Sequence, residues 1–231
     1  MNDLNGFLRD ELHCHGADLV GFGDLTGLPA EVREGLPVGV CVAVKYQKEI
    51  IRDIAQLPTR GYYDAYNAIN QRLDMLVTLG AKALEMLGHR AIAKTREQVA
   101  CIETDYQTTL PHKTVATRAG IGWIGKCALL INEQYGSMIR VSSILTDAPL
   151  NCDTPVDESK CGGCIACVTA CPAGAVTGRE WSVNTPREVL YDPVKCRNAA
   201  LARTMESFGE AISICGKCIA VCPYTRRYLE D

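Results

Sequence analysis

The sequence has no run of about 18 apolar residues, the length that crosses a bilayer as a helix, so it predicts no membrane-spanning segment. No secretory leader is expected, because the opening MNDLNGFLRDELHCHG carries acidic residues and no apolar h-region. A cytoplasmic, reducing compartment is the expectation. Basic residues are not in excess: 24 Lys and Arg against 27 Asp and Glu leave a net charge of −3. The basic stripe of a dedicated nucleic-acid surface is therefore missing. Aromatic residues make up only 6% of the chain, and no tandem repeat or low-complexity tract is visible. What the sequence holds in quantity is cysteine, 13 in 231 residues. Disulfides do not persist in a reducing compartment, so these thiols point to metal.

Their spacing says which metal. Cys161 to Pro172 reads CGGCIACVTACP, the pattern CxxCxxCxxxCP. That is the bacterial ferredoxin ligand run, in which three thiolates hold one [4Fe–4S] cube and the fourth reaches to a second. The tail completes the second set, with Cys196 standing alone and Cys215, Cys218 and Cys222 following as CGKCIAVCP. Crossing the runs predicts one cluster on Cys161, Cys164, Cys167 and Cys222, and another on Cys171, Cys196, Cys215 and Cys218. Zinc would take two CxxC pairs in a tetrahedral set and leaves both the CxxxCP closure and the lone Cys196 unexplained. The other cysteines, Cys14, Cys41, Cys101, Cys127 and Cys152, are scattered. This distribution divides the chain into an N-terminal domain at 1–150, long enough for its own core, and a cluster domain at 151–231.

Before the clusters, helix and strand patterns alternate. Leu4, Phe7, Leu8 and Leu12 share a helical face that begins near Asn2 or Asp3 and stops at Gly16. A strand follows at 18–22. The valine-rich run LPVGVCVAVKY at 36–46 reads as a strand buried on both faces, with Cys41 a small buried hydrophobe. Residues 61–87 carry the longest helical pattern, with Gly88 past its end. The segment 91–104 suggests a strand at each end, and 112–118 a short helix. CALLI at 127–131 and SMIRVSSILT at 137–146 read as a hairpin joined by NEQYG, with Cys127 a buried thiol at its start. The proline-containing stretch 147–159 reads as a linker. Such alternation predicts an α/β or α+β layer.

The loop GIGWIGKC at 120–127 fits two phosphate patterns and satisfies neither. A dinucleotide GxGxxG needs a strand before it and a helix after it, the reverse of this context, and a Walker lysine is followed by Ser or Thr rather than by Cys127. The bare backbone suggests close approach to a flat ligand, with Trp123 as an apolar wall.

From His112 onward the order HKTVATRAGIGWIGKCALLI, GSMIRVSSIL, CxxCxxCxxxCP, a single cysteine and CxxCxxxCP resembles epoxyqueuosine reductases and, more distantly, the corrinoid-binding core of reductive dehalogenases. The resemblance implies an α+β protein: a nitroreductase-like α/β domain that binds cobalamin, followed by a ferredoxin-like domain with two [4Fe–4S] clusters that feed electrons to the cobalt. It implies corrinoid contacts at His112, Lys113, Gly120, Gly122, Trp123, Gly125, Lys126 and Cys127. A proton donor is implied at Tyr106 by ungapped counting back from Trp123, or at Asp105 after a one-residue shift. The implied partners are an external one-electron donor of ferredoxin or flavodoxin type and a small-molecule or nucleoside-type substrate. The tRNA-modifying enzymes continue into a helical-repeat tail where this sequence ends at Asp231, so tRNA is not expected as a partner. The alternative reading is an electron carrier or corrinoid reductase that serves a partner redox protein.

Overall fold

The computed structural model describes residues 3–99 and 106–230. They fall into two interleaved compact units, one of Met1–Val44, Ile69–Gly122 and Arg140–Val156, the other of Lys45–Ala68, Trp123–Ile139 and Asp157–Asp231. Helix and sheet are mixed.

The first unit is built on a four-stranded sheet of order β1-β2-β6-β3, made from β1 (Leu19–Asp24), β2 (Val38–Lys45), β3 (Ala91–Lys94) and β6 (Ile139–Thr146). Strands β1 and β2 pair antiparallel from Leu19 opposite Ala43 to Asp24 opposite Val38, and β3 pairs antiparallel with β6. The two faces of the sheet differ by a large/small alternation. Val20 and Phe22 of β1, with Val38, Val40, Val42 and Val44 of β2, point into a core closed by Leu8 and Leu12 of α1 (Leu4–Cys14) and by Leu73, Leu76, Val77 and Leu84 of α3 (Arg60–Met86). Each such side chain contributes about 1.5–3 kcal/mol by leaving water. The intervening positions of the strands are small. A Cβ on Gly21 would sit 2.4 Å from the Ala119 carbonyl oxygen, and one on Gly39 2.6 Å from Val115. Helix α4 (His112–Arg118) therefore lies directly on the backbone of the sheet.

Helix α1 starts where the sequence places it, with Asp3 accepting a hydrogen bond from the Gly6 amide and Gly16 at φ +99° just past its end. Asn2, the alternative start, lies outside the described residues, as do Cys101 and the far end of the 91–104 segment.

The second unit holds α2 (Lys48–Asp53), a two-stranded sheet of β4 (Trp123–Ile124) and β5 (Leu130–Ile131), and the helices α5 (Ala166–Thr169), α6 (Arg187–Leu190), α7 (Pro193–Phe208), α8 (Lys217–Val221) and α9 (Pro223–Glu230). The expected hairpin of 127–131 with 137–146 does not form. β5 pairs instead with β4, Ile124 opposite Leu130, and β6 joins the large sheet. The cause is local: Ala128 adopts φ +59°, and the Ala128 amide donates to the Gly125 carbonyl at 2.8 Å, so 125–129 is a turn rather than a strand. NEQYG still closes on itself, with Asn132 and Gly136 exchanging backbone hydrogen bonds at 2.8 and 2.9 Å. Among the described residues no helix is long and apolar enough to cross a membrane.

Candidate iron–sulfur site

Two chain features gather the thiols of the second unit. Gly162 at φ +54° turns the chain between Cys161 and Cys164, where the Cys164 amide donates to the Cys161 carbonyl at 3.1 Å. Short helices α5 and α8 pack on each other and present Cys167 and Cys218. Cys222 ends α8 in an extended conformation (φ −63°, ψ 126°), the geometry a following proline requires. Helix α7 carries Cys196 in its first turn, opened by Pro193 and by Asp192, whose side chain accepts from the Lys195 amide. Gly216, at φ +74°, leads into Cys218, and a Cβ there would meet Ile54 at 2.4 Å.

The thiols form two groups. Cys161, Cys164, Cys167 and Cys222 line a cavity of about 430 Å³, with Cys218 and Cys127 also in its wall. Cys196 stands close enough to Cys171 and Cys215 for their charges to interact. The Cys171 sulfur accepts a hydrogen bond from the Ala175 amide at 3.3 Å. Among the described residues no three His, Cys, Asp or Glu side chains converge as a single-ion site would require; the sulfurs are spread around a space instead. The crowding shows in their ionisation. Burial, then the neighbouring Cys171 and Cys215, push the Cys196 thiol up, and burial followed by Cys161 raises Cys222 despite amide bonds from Tyr224 and Thr225. Bunched thiols are a donor set suited to a cationic guest, which would hold them as thiolates, Cys196 and Cys222 included.

The glycine loop packs closely against the chain itself at two positions. A Cβ on Gly120, which has φ +66°, would lie 2.8 Å from the Thr154 carbonyl oxygen, and one on Gly125 would lie 2.3 Å from Ile131 and 3.4 Å from the Cys161 sulfur. The bare backbone at these two positions admits the chain's own atoms. Lys126 and Cys127, at the tip of the β4–β5 turn, belong to the wall of the thiol cavity. Lys126 donates to the carbonyls of Gly162 at 2.6 Å and Cys164 at 3.2 Å. Cys127 is buried, and its thiol is held well above the ordinary thiol range: contact with Cys167 pulls its pKa down, while contact with Cys218 and burial outweigh that and push it up. No periodicity or spacing signal places these two residues among the cluster cysteines; the turn that does so depends on Ala128 in a left-handed conformation. Trp123 stacks edge-on against Tyr224 with ring centroids 5.0 Å apart, and its buried indole nitrogen has no partner among the described residues.

In the first unit, the His112 Nδ1 and the Ser143 hydroxyl are hydrogen-bonded at 2.9 Å. Burial, reinforced by the positive charges of Arg140 and Lys94, lowers the His112 pKa to about 4, against an opposing pull from Asp74. Its neighbour Lys113 lies in the same first turn of α4, and Gly122 is buried. Tyr106 is exposed and occupies φ +58°, a conformation that costs a tyrosine free energy. Asp105 lies outside the described residues.

Residues 160–225 match the family described as the 4Fe-4S double cluster binding domain. The chain is similar to the epoxyqueuosine reductase of Escherichia coli strain K12, at 35% identity over 96% of this chain and 58% of that protein. It is also similar to that of Salmonella typhimurium strain LT2, at 28% identity over 96% of this chain and 57% of that protein. It thus spans a little over half the length of these relatives. Among solved structures, a catabolic reductive dehalogenase in complex with 3-bromo-4-hydroxybenzoic acid superposes with a TM-score of 0.67 at 20% identity, over 96% of this chain and 33% of that one. An epoxyqueuosine reductase with an epoxyqueuosine-modified tRNA-Tyr stem loop superposes with a TM-score of 0.63 at 20% identity, over 96% and 65%. That complex, together with the sequence relatives, overturns the expectation set against tRNA: net charge averages over the whole chain, whereas contact with a stem loop needs only a local surface.

Proposed function

We propose that this chain is the reductase core of an epoxyqueuosine reductase-like iron–sulfur enzyme, acting on an epoxide-bearing nucleoside carried by tRNA. The carrying observation is the thiol cavity, with Cys161, Cys164, Cys167 and Cys222 around one space and Cys171, Cys196 and Cys215 grouped separately. In this reading residues 1–150 form a nitroreductase-like domain and residues 151–231 a ferredoxin-like one, in a cytoplasmic protein reduced by a ferredoxin or flavodoxin.

The donor chemistry suits two cubanes, the first on Cys161, Cys164, Cys167 and Cys222 and the second on Cys171, Cys196, Cys215 and Cys218. For a corrinoid the supporting observation is the Trp123 indole, a buried donor without an acceptor among the described residues, matched by the amide carbonyls on a corrin's rim; the resemblance assigns His112, Lys113, Gly120, Gly122, Gly125, Lys126 and Cys127 to it as well. When bound, the clusters supply single electrons and the corrinoid a strongly reducing cobalt. The chain's own part is positional. Ala175 steadies the Cys171 sulfur through its amide. His112 stays neutral at physiological pH and so offers one donor and one acceptor. Tyr106, held in its left-handed conformation, carries the proton that an opening epoxide oxygen needs, with Asp105 as the adjacent candidate.

Anaerobic reconstitution with iron, sulfide and cobalamin, followed by single-turnover reduction of epoxyqueuosine-containing tRNA stem loop, tests this reading. The expected result is about eight irons per chain, a corrinoid absorption spectrum and conversion of the modified base. A protein that binds both clusters yet neither corrinoid nor stem loop would sink the enzyme reading.

A further inference from the structure

Lysine is rarely buried, and Lys126 is 6% exposed. Its ammonium has three donors and three acceptors in reach: the carbonyl oxygens of Gly162 and Cys164 at 2.6 and 3.2 Å, and Glu180 Oε1 at 3.4 Å. Two of those acceptors belong to the loop that presents the first ligand cysteines. The cation is thereby fixed in the wall of the cavity lined by Cys161, Cys164, Cys167 and Cys222. Its counter-charge is less well placed, because the Glu180 side chain is 46% exposed while that of Lys126 is 7% exposed. Water screens the carboxylate more than the ammonium, which leaves a net positive field on the cavity.

A positive field favours the state with one more electron. We propose that Lys126, partly offset by Glu180, sets the reduction potential of the cluster held by Cys161, Cys164, Cys167 and Cys222, acting as a positioning and electrostatic residue. The step is a one-electron reduction of that cubane from its oxidised to its reduced level by an external one-electron donor, with no bond made or broken at Lys126. The proposal rests on the cluster assignment above, and the charge pair supplies a signature that a packing role does not.

The experiment is an anaerobic EPR-monitored redox titration of the full reconstituted chain, with dithionite and mediators, on wild type, Lys126→Met, Lys126→Arg and Glu180→Gln, each with its iron counted. Lys126→Met is expected to move one cluster to a more negative potential, lowering its reduced-to-oxidised ratio at fixed solution potential about tenfold, which is 59 mV for a one-electron couple. The other cluster should titrate as before. Lys126→Arg should restore the wild-type midpoint closely, and Glu180→Gln should shift the same cluster in the positive direction. A Lys126→Met protein with a wild-type midpoint, or equal shifts in both clusters, overturns the proposal. If Lys126→Met does not retain iron, Glu180→Gln decides: no shift or a negative one overturns the proposal, and a positive one on a single cluster supports it. A wild-type chain with neither iron nor a cubane signal overturns the cluster assignment itself, and with it the proposal.

Discussion

At the scale of single residues, the thiols make the sharpest test. Cys196 is separated from both ligand runs in sequence yet stands beside Cys171 and Cys215, so Cys196→Ala should lower the bound iron from about eight to about four per chain. Cys127→Ala should keep the full complement, although Cys127 lies in the same cavity wall. Iron and sulfide assays after anaerobic desalting decide the matter, and loss of a cluster from Cys127→Ala would make that thiol a ligand. His112 gives a prediction of a different kind. Its pKa falls from 6.5 in the unfolded chain to about 4 in the fold, so the unfolded state binds the extra proton first. The stabilisation from keeping it neutral is complete above about pH 6.5 and is lost as pH falls towards 4, by at most about 3 kcal/mol. His112→Gln, whose amide can still reach Ser143, should flatten that acid limb. Urea midpoints at pH 7 and pH 5, wild type against variant, measure the difference, and parallel pH profiles would refute it.

Among elements, α4 shows what a sequence exposes and what it hides. The helix itself was legible at 112–118, and so was the buried strand at 36–46. What placed the helix was the alternation inside the strands, with Gly21, Gly23 and Gly39 facing α4 and the valines and Phe22 facing the core. Gly39→Val should therefore destabilise by about 1–3 kcal/mol through forced displacement of Val115 and Leu25. Gly27→Ala, with nothing within 4 Å of the added carbon, should stay within about 0.5 kcal/mol of wild type. Chemical denaturation of the two variants checks the contrast. The two cysteine runs, which fall within the match to the 4Fe-4S double cluster binding domain at 160–225, were readable because cluster chemistry fixes residue type and spacing together. An apolar run such as CALLI does not reveal that Ala128 takes a positive φ, so the hairpin it suggests does not form, and that one dihedral moves Lys126 and Cys127 to the thiol cavity. Helix α2, six residues long, leaves too little periodicity to detect.

For the whole molecule, the two packing units have different sources of stability. The first owns a continuous core running from Leu8 to Leu150 in sequence, with Phe22, Leu76, Leu84 and Ile144 all fully buried. Around the thiols of the second, α5 has four residues, α6 four and α8 five, far below the length of about 12 at which a helix sustains itself in water. Such short elements need tertiary anchors, and four-point ligation from separated parts of the chain is a strong one, because free energy of metal binding is also free energy of folding. Removing the iron should therefore loosen the molecule unevenly. In hydrogen exchange of the chelated protein, amides of α5 and α8 should lose protection, whereas those of β2 and of α3 between Leu73 and Leu84 should keep theirs. A uniform loss across both sets would mean that the core of the first unit does not stand without the clusters. Unchanged protection in α5 and α8 would mean that packing alone, and not ligation, holds the thiols together.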